Sequence, residues 1–344
     1  MLTANDQRPI ARWLFVCCAM VFATLVVGGV TRLTHSGLSI VEWKPLIGAL
    51  PPLSEADWLT VFAKYQQTPE FLLRNHDMTL DGFKFIFWWE WAHRLSGRLI
   101  GVVFLLPYVW FLLRGQLRGV PAIKVLGFFV LGGLQGAMGW YMVQSGLVDD
   151  PRVSQYRLAA HLGLAFLIFG LMFWTALDLL QPRNANPAVP PAPTFTQGLG
   201  GGLIVLVFVM ILSGALVAGI HAGLAYNTFP LMNGYFAPPE IFMLDPLWLN
   251  FFSNMATVQF DHRLIAWALI GLIPWFAWRV WHEHEATRFP ALILVAWLAV
   301  QVSLGIATLL FRVPVTLAAL HQAGAMILFG LLLWVNHRIR WREP

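Results

Sequence analysis

Long apolar runs separated by short polar breaks dominate the chain, covering about residues 13–30, 86–113, 121–143, 157–180, 198–220, 260–281, 289–311 and 315–336. A helix needs roughly 20 such residues to cross a hydrocarbon core, so the pattern predicts eight transmembrane helices. Two long polar segments, 31–84 and 221–259, interrupt the series at matching places. Within the first, Ser54-Glu55-Ala56-Asp57 reads as a capping box. Trp58, Val61, Phe62 and Tyr65 then share one helical face, which predicts an amphipathic helix at the membrane interface. Pro107 and Pro274 are placed to kink the second and sixth spans. Gly132, Gly133, Gly136 and Gly139 give the third a small face for close packing.

Composition agrees: charged residues make up 11% of the 344, against about 25% in soluble domains. The fold class is therefore an all-α integral membrane protein. A net charge of +5 belongs with membrane topology and gives no reason to expect a nucleic-acid partner. Arg8 and Arg12 before the first run suggest a signal peptide, but its length and the spans that follow favour a retained helix. Arg114, Arg118, Lys124, Arg338, Arg340 and Arg342 sit in short loops or near helix ends, so the positive-inside rule puts both termini in the cytoplasm. The two cysteines, Cys17 and Cys18, are adjacent in the first span and suit neither a disulfide framework nor a zinc site.

The chain also repeats itself. Ala159-Ala160-His161, Phe169-Gly170-Leu171 and Trp174 recur as Ala319-Leu320-His321, Phe329-Gly330-Leu331 and Trp334. His93-Arg94-Leu95 recurs as His262-Arg263-Leu264, Gln135 and Gly139 as Gln301 and Gly305, and His35 as His221. Spans one to four and five to eight are thus expected to form two pseudo-symmetric four-helix bundles, 1–183 and 198–344, joined by a cytoplasmic linker at 184–197. An even number of spans per copy makes the repeats parallel, about an axis along the membrane normal.

Each copy carries two span-borne histidines, His93 with His161 and His262 with His321, all near the outer face. Paired imidazoles on facing helices of a four-helix bundle match bis-histidine haem ligation. His76, His282, His284 and His337 read as structural or solvated, whereas the duplication of His35 and His221 hints at a transient haem or metal contact. Haem propionates want guanidinium partners, and Arg94, Arg98, Arg157 and Arg263 are the candidates. Ionisable groups at membrane depth are costly and tend to be functional, which singles out Glu90. It lies three residues from His93, on the same helical face. The second copy has Gln259 there, so chemistry is expected at the first site and electron transfer or structure at the second.

Glu90-Trp91-Ala92-His93-Arg94, Gly28-Gly29-Val30-Thr31-Arg32-Leu33-Thr34 and the duplicated histidines resemble the haem A synthase family, of the proteobacterial and mitochondrial type. That resemblance covers essentially the whole chain. It implies oxidation of the C8 methyl of haem O to a formyl group by two successive hydroxylations, giving haem A for terminal oxidases, with Glu90 catalytic. It further implies haem b held by His262 and His321, the substrate haem near His93 and His161, and residence in the cell inner membrane. Partners open to such a protein are a haem O synthase, an electron donor and a second copy of itself. Some members carry a cysteine pair in the outer loops; its absence here removes a thiol relay. A di-haem b-type cytochrome that only relays electrons is the alternative, since the histidine pairs alone fit it equally well.

Overall fold

The computed structural model describes residues 4–43, 47–147, 151–180 and 194–340. Eleven α-helices occur among them: α1 (Ala4–Leu33), α2 (Glu55–Tyr65), α3 (Pro69–Leu73), α4 (Leu80–Leu113), α5 (Gly119–Gln144), α6 (Gln155–Leu180), α7 (Phe195–Gly219), α8 (Asn250–Ser253), α9 (Met255–Glu283), α10 (Arg288–Leu310) and α11 (Val315–Arg340). Eight of these are long and apolar enough to cross a membrane, at the places where the apolar runs put them. Most of the expected linker, residues 184–193, lies outside the described residues. Its last part does not: Thr194 caps α7. Trp341 and Arg342 of the basic tail are likewise not described.

Helix α1 packs against α4 and α6, and α5 against α4 and α6; α7 packs against α9 and α11, and α10 against α9 and α11. Contacts of α6 with α7 and α11, and of α1 with α11, join the two groups. Helices gain little hydrophobic driving force from one another inside lipid, so close van der Waals packing on small residues must hold them. Repeat-related residues do this reciprocally at the α6–α11 contact. A Cβ on Gly170 would stand 3.1 Å from the Phe329 ring, and one on Gly330 3.6 Å from the Phe169 ring. Elsewhere in the core, the indole of Trp13 donates to the Val103 carbonyl at 2.9 Å and its ring lies 4.8 Å from that of Phe104.

The long connections 34–79 and 220–254 lie at one end of the bundle, the loop end. The expected amphipathic helix is α2, and both halves of its capping box form between Ser54 and Asp57. Its apolar face does not stand alone. Trp58, Phe62 and Tyr65 pack on Phe83, where α4 extends ahead of its apolar run, and on Phe87 at the start of that run. This small aromatic core fixes the loop end over the first turns leading to His93.

Candidate functional site

Four imidazoles sit in four glycine seats. The His93 ring of α4 lies against Gly28 of α1, where a Cβ would approach it to 2.5 Å; His161 of α6 lies against Gly139 of α5, at 3.1 Å. In the second copy, His262 of α9 faces Gly214 of α7 at 3.1 Å, and His321 of α11 faces Gly305 of α10 at 2.8 Å. Only a residue without a side chain lets these rings come so near a neighbouring backbone. Gly28 and Gly214 are separated by the same 186 residues as Arg32 and Ala218, which are themselves in contact. Gly139 and Gly305 are legible as a repeat in the sequence; Gly28 and Gly214 are not, because the residues beside them, Val27 and Ser213, differ between the copies. His93 and His161 are within electrostatic range of each other, as are His262 and His321.

The two pairs are held differently. In the second copy, Ser213 Oγ meets His262 Nδ1 at 2.8 Å and the Gln301 amide donates to His321 Nδ1 at 3.1 Å. A partner that accepts from Nδ1–H, as Ser213 Oγ can for His262, orients the ring and leaves Nε2 as the ligating nitrogen. In the first copy, Val27 stands where Ser213 stands in the second, and His93 Nδ1 is buried with no hydrogen-bond partner. Gln135 reaches His161 through Nε2 at 3.3 Å, and His161 Nδ1 is also buried and unpartnered. These imidazoles and their unsatisfied nitrogens fit the axial ligands of a haem iron. Ser213 thus gives His262 a side-chain partner that Val27 cannot give His93, whereas Gln135 and Gln301 hold His161 and His321 alike, each also donating to its histidine's own carbonyl. If the second pair ligates a haem, a Gly214→Val change should push His262 off its seat and abolish the corresponding absorbance spectrum. Gly28→Val should leave that spectrum intact.

Glu90 is 2% exposed and fully engaged. Its Oε1 accepts from Arg94 Nε at 3.0 Å and Nη2 at 2.6 Å. Its Oε2 accepts from Ser39 Oγ and the Ile40 amide, both at 2.7 Å. Arg94 also donates to the carbonyls of Ile40 and Glu42, so the pair clamps the 36–43 segment onto α4. The equivalent pair repeats this: Gln259 accepts from Arg263 at 3.1 Å and donates to Ala222 O at 2.8 Å. Arg263 donates on to the carbonyls of Tyr226, Thr228, Pro230 and Leu231. Each arginine therefore already has acceptors, although Arg263 Nε is buried without one. Arg157 donates to Tyr141 O at 2.6 Å and stacks 3.7 Å over the Tyr141 ring. Arg98 lies one turn beyond Arg94 and is engaged within the protein.

His35 and His221 come together. Their rings are nearly parallel, 14° apart with centroids at 6.4 Å, and both residues adopt left-handed backbone, φ 52° and 57°. Such a conformation after a helix is normally left to glycine or asparagine. Arg32 donates to the Ala218 carbonyl, which also accepts from the His221 amide, so the ends of α1 and α7 are tied at this point. Burial lowers both imidazole pKa values, and Arg74 and Arg32 lower them further. His35 lines a cavity of about 270 Å³ with Thr34, Glu70, Arg74 and Asn75. Burial raises the Glu70 carboxyl to about 7. Far from this end, His337 Nε2 lies 2.9 Å from Asp178 and His282 Nδ1 is 2.8 Å from Trp278 O. Among the described residues no three metal-ligating side chains cluster.

Eight long apolar helices fit a multi-pass membrane protein. The chain belongs to the COX15-CtaA family of cytochrome oxidase assembly proteins, whose family model matches residues 11–333. It is 58% identical to a haem A synthase of Nitrosospira multiformis over 97% of this chain and 94% of that protein. Identity is 54% with a haem A synthase of Nitrosomonas eutropha, over 97% and 95% of the two chains. With that of Rhodospirillum centenum it is 51%, over 98% and 90%.

Proposed function

We propose that this protein converts haem O to haem A, with the substrate haem between His93 and His161 and a resident haem b between His262 and His321. Full-length likeness to haem A synthases carries the reaction. The unequal fastening of the two histidine pairs supports the division of labour. Ser213 orients His262 through Nδ1, which suits a cofactor that stays, and Val27 in the equivalent place leaves His93 without that side-chain partner, which suits one that exchanges. The iron-porphyrin supplies the oxidising power, and the protein supplies position and proton handling.

Glu90 carries the proton handling. Its carboxylate is one turn from His93, stored as an ion pair with Arg94. Another anion that competes for Arg94 would release it from that pair. A propionate is such an anion, and bidentate arginine pairs with it well. Arg94 and Glu90 thus act as one exchange unit, Arg263 with Gln259 as its non-chemical counterpart, and Arg98 and Arg157 as further anion contacts. His35 and His221 hold the two copies together near this surface, in place of the transient haem contact that duplication alone suggested.

In this reading the loop end faces outward and both termini face the cytoplasm, in the cell inner membrane. Haem O arrives through the bilayer from its synthase, and a separate donor or acceptor exchanges electrons at the resident haem. Cells that make haem O but not haem A test the assignment. On introduction of this chain, extracted haem should gain the mass of the formyl product. Unchanged haem O, with only protohaem bound to the purified protein, would favour an electron relay instead.

A further inference from the structure

The two copies differ in what lies beneath the histidines, on the side away from the loop end. Aligning His93-Arg94-Leu95 with His262-Arg263-Leu264 pairs Gly97 with Ala266 and Gly101 with Ile270. Aligning Gln135 and Gly139 with Gln301 and Gly305 pairs Gly132 with Leu298 and Gly136 with Val302. Helical spacing puts Gly97 and Gly101 on the His93 face of α4, and Gly132 and Gly136 on the face of α5 that holds Gly139, the seat of His161. At all four glycines a Cβ would meet nothing within 4 Å. In the second copy Leu298 is 6% exposed and Val302 packs against the core, and α9 and α10 are in closer contact than α4 and α5.

Glycines alone would be a packing face. These stand open below a pair of imidazoles whose Nδ1 atoms are buried and unpartnered, where α4 and α5 approach each other less closely than α9 and α10, and Gln135 Oε1 is also buried without a partner. Polar ligating groups stand at the head of this opening and bare backbone below. The occupant must therefore be amphiphilic, with a coordinating centre near the loop end and a slender apolar extension toward the membrane interior. Haem O has that form, since it is a haem bearing a long isoprenoid chain that protohaem lacks.

We infer that the glycine-lined slot between α4 and α5 is the berth of the substrate's isoprenoid chain, and that Gly132 and Gly136 determine specificity for haem O over protohaem. The same positions in the second copy, filled by Leu298 and Val302, exclude a tailed haem and so reserve that site for haem b. This rests on the substrate haem lying between His93 and His161.

Gly132→Leu and Gly136→Val each install the residue that the second copy already carries, so the backbone tolerates both in this fold. Purified full-length protein with its resident haem would be titrated with haem O and with protohaem, followed by absorbance. Either variant should weaken haem O binding at least about tenfold, the scale of a small steric misfit in an apolar pocket. Protohaem binding should change less than about twofold, with the resident spectrum intact. Equal weakening of both haems, or of neither, would overturn the slot. A His161→Ala control separates the two levels. If it leaves haem O binding unchanged, the site itself is misplaced. If it abolishes binding while the glycine variants do nothing, only the slot is.

Discussion

A Glu90→Gln protein is expected to fold, hold the haem proposed for the second histidine pair and make at least about a hundredfold less haem A, the usual scale for losing a general acid–base group. The chain contains its own control for folding. Gln259 occupies the equivalent place, accepts from Arg263 at 3.1 Å and still anchors its loop through Ala222. A glutamine at position 90 can likewise accept from Arg94 and keep α4 tied to the 36–43 segment. It cannot carry a negative charge or take up a proton. Arg94→Ala is the contrasting change. It strands a buried carboxylate, a loss of about 3–5 kcal/mol where such pairs have been broken, and should loosen the loop end as well as stop turnover. Haem quantification by mass in cells expressing each variant distinguishes these outcomes. Normal haem A output from Glu90→Gln would remove the carboxylate from the chemistry.

The spans were legible because each is a near-continuous apolar run, and membrane-spanning helices carry the strongest pattern a sequence offers. The histidines were legible as ionisable groups inside such runs, and the repeat made their pairing explicit. The helix over Glu55–Tyr65 was legible from its cap; its seat on Phe83 and Phe87 was not, because the first turns of α4 lie before the run and look like loop. Less visible still was what Glu90 does at rest. Spacing puts Glu90 and His93 on one face, which drew attention to that pair. Its actual partners are Arg94, one helical turn away, and Ser39 and Ile40, which arrive from a loop with no fixed sequence offset. The meeting of His35 and His221 is another long-range fact: repetition marked both, but only the approach of α1 and α7 brings them to 6.4 Å.

The second large effect concerns the histidines themselves. On the proposed assignment, an alanine at position 262 or 321 removes one of two axial ligands from the copy in which Ser213 and Gln301 contact the rings, and each change should erase the same low-spin haem signal. Alanine at 93 or 161 acts on the pair with unsatisfied Nδ1 atoms. It should spare that signal while ending haem O binding and haem A formation. The four single variants, purified as full chains and compared by electron paramagnetic resonance with pyridine-extracted haem content, measure this directly. Two spectral classes that divide as His262 with His321, and His93 with His161, are the predicted result. A haem signal lost on changing His93 and His262 but kept on changing His161 and His321 would contradict it.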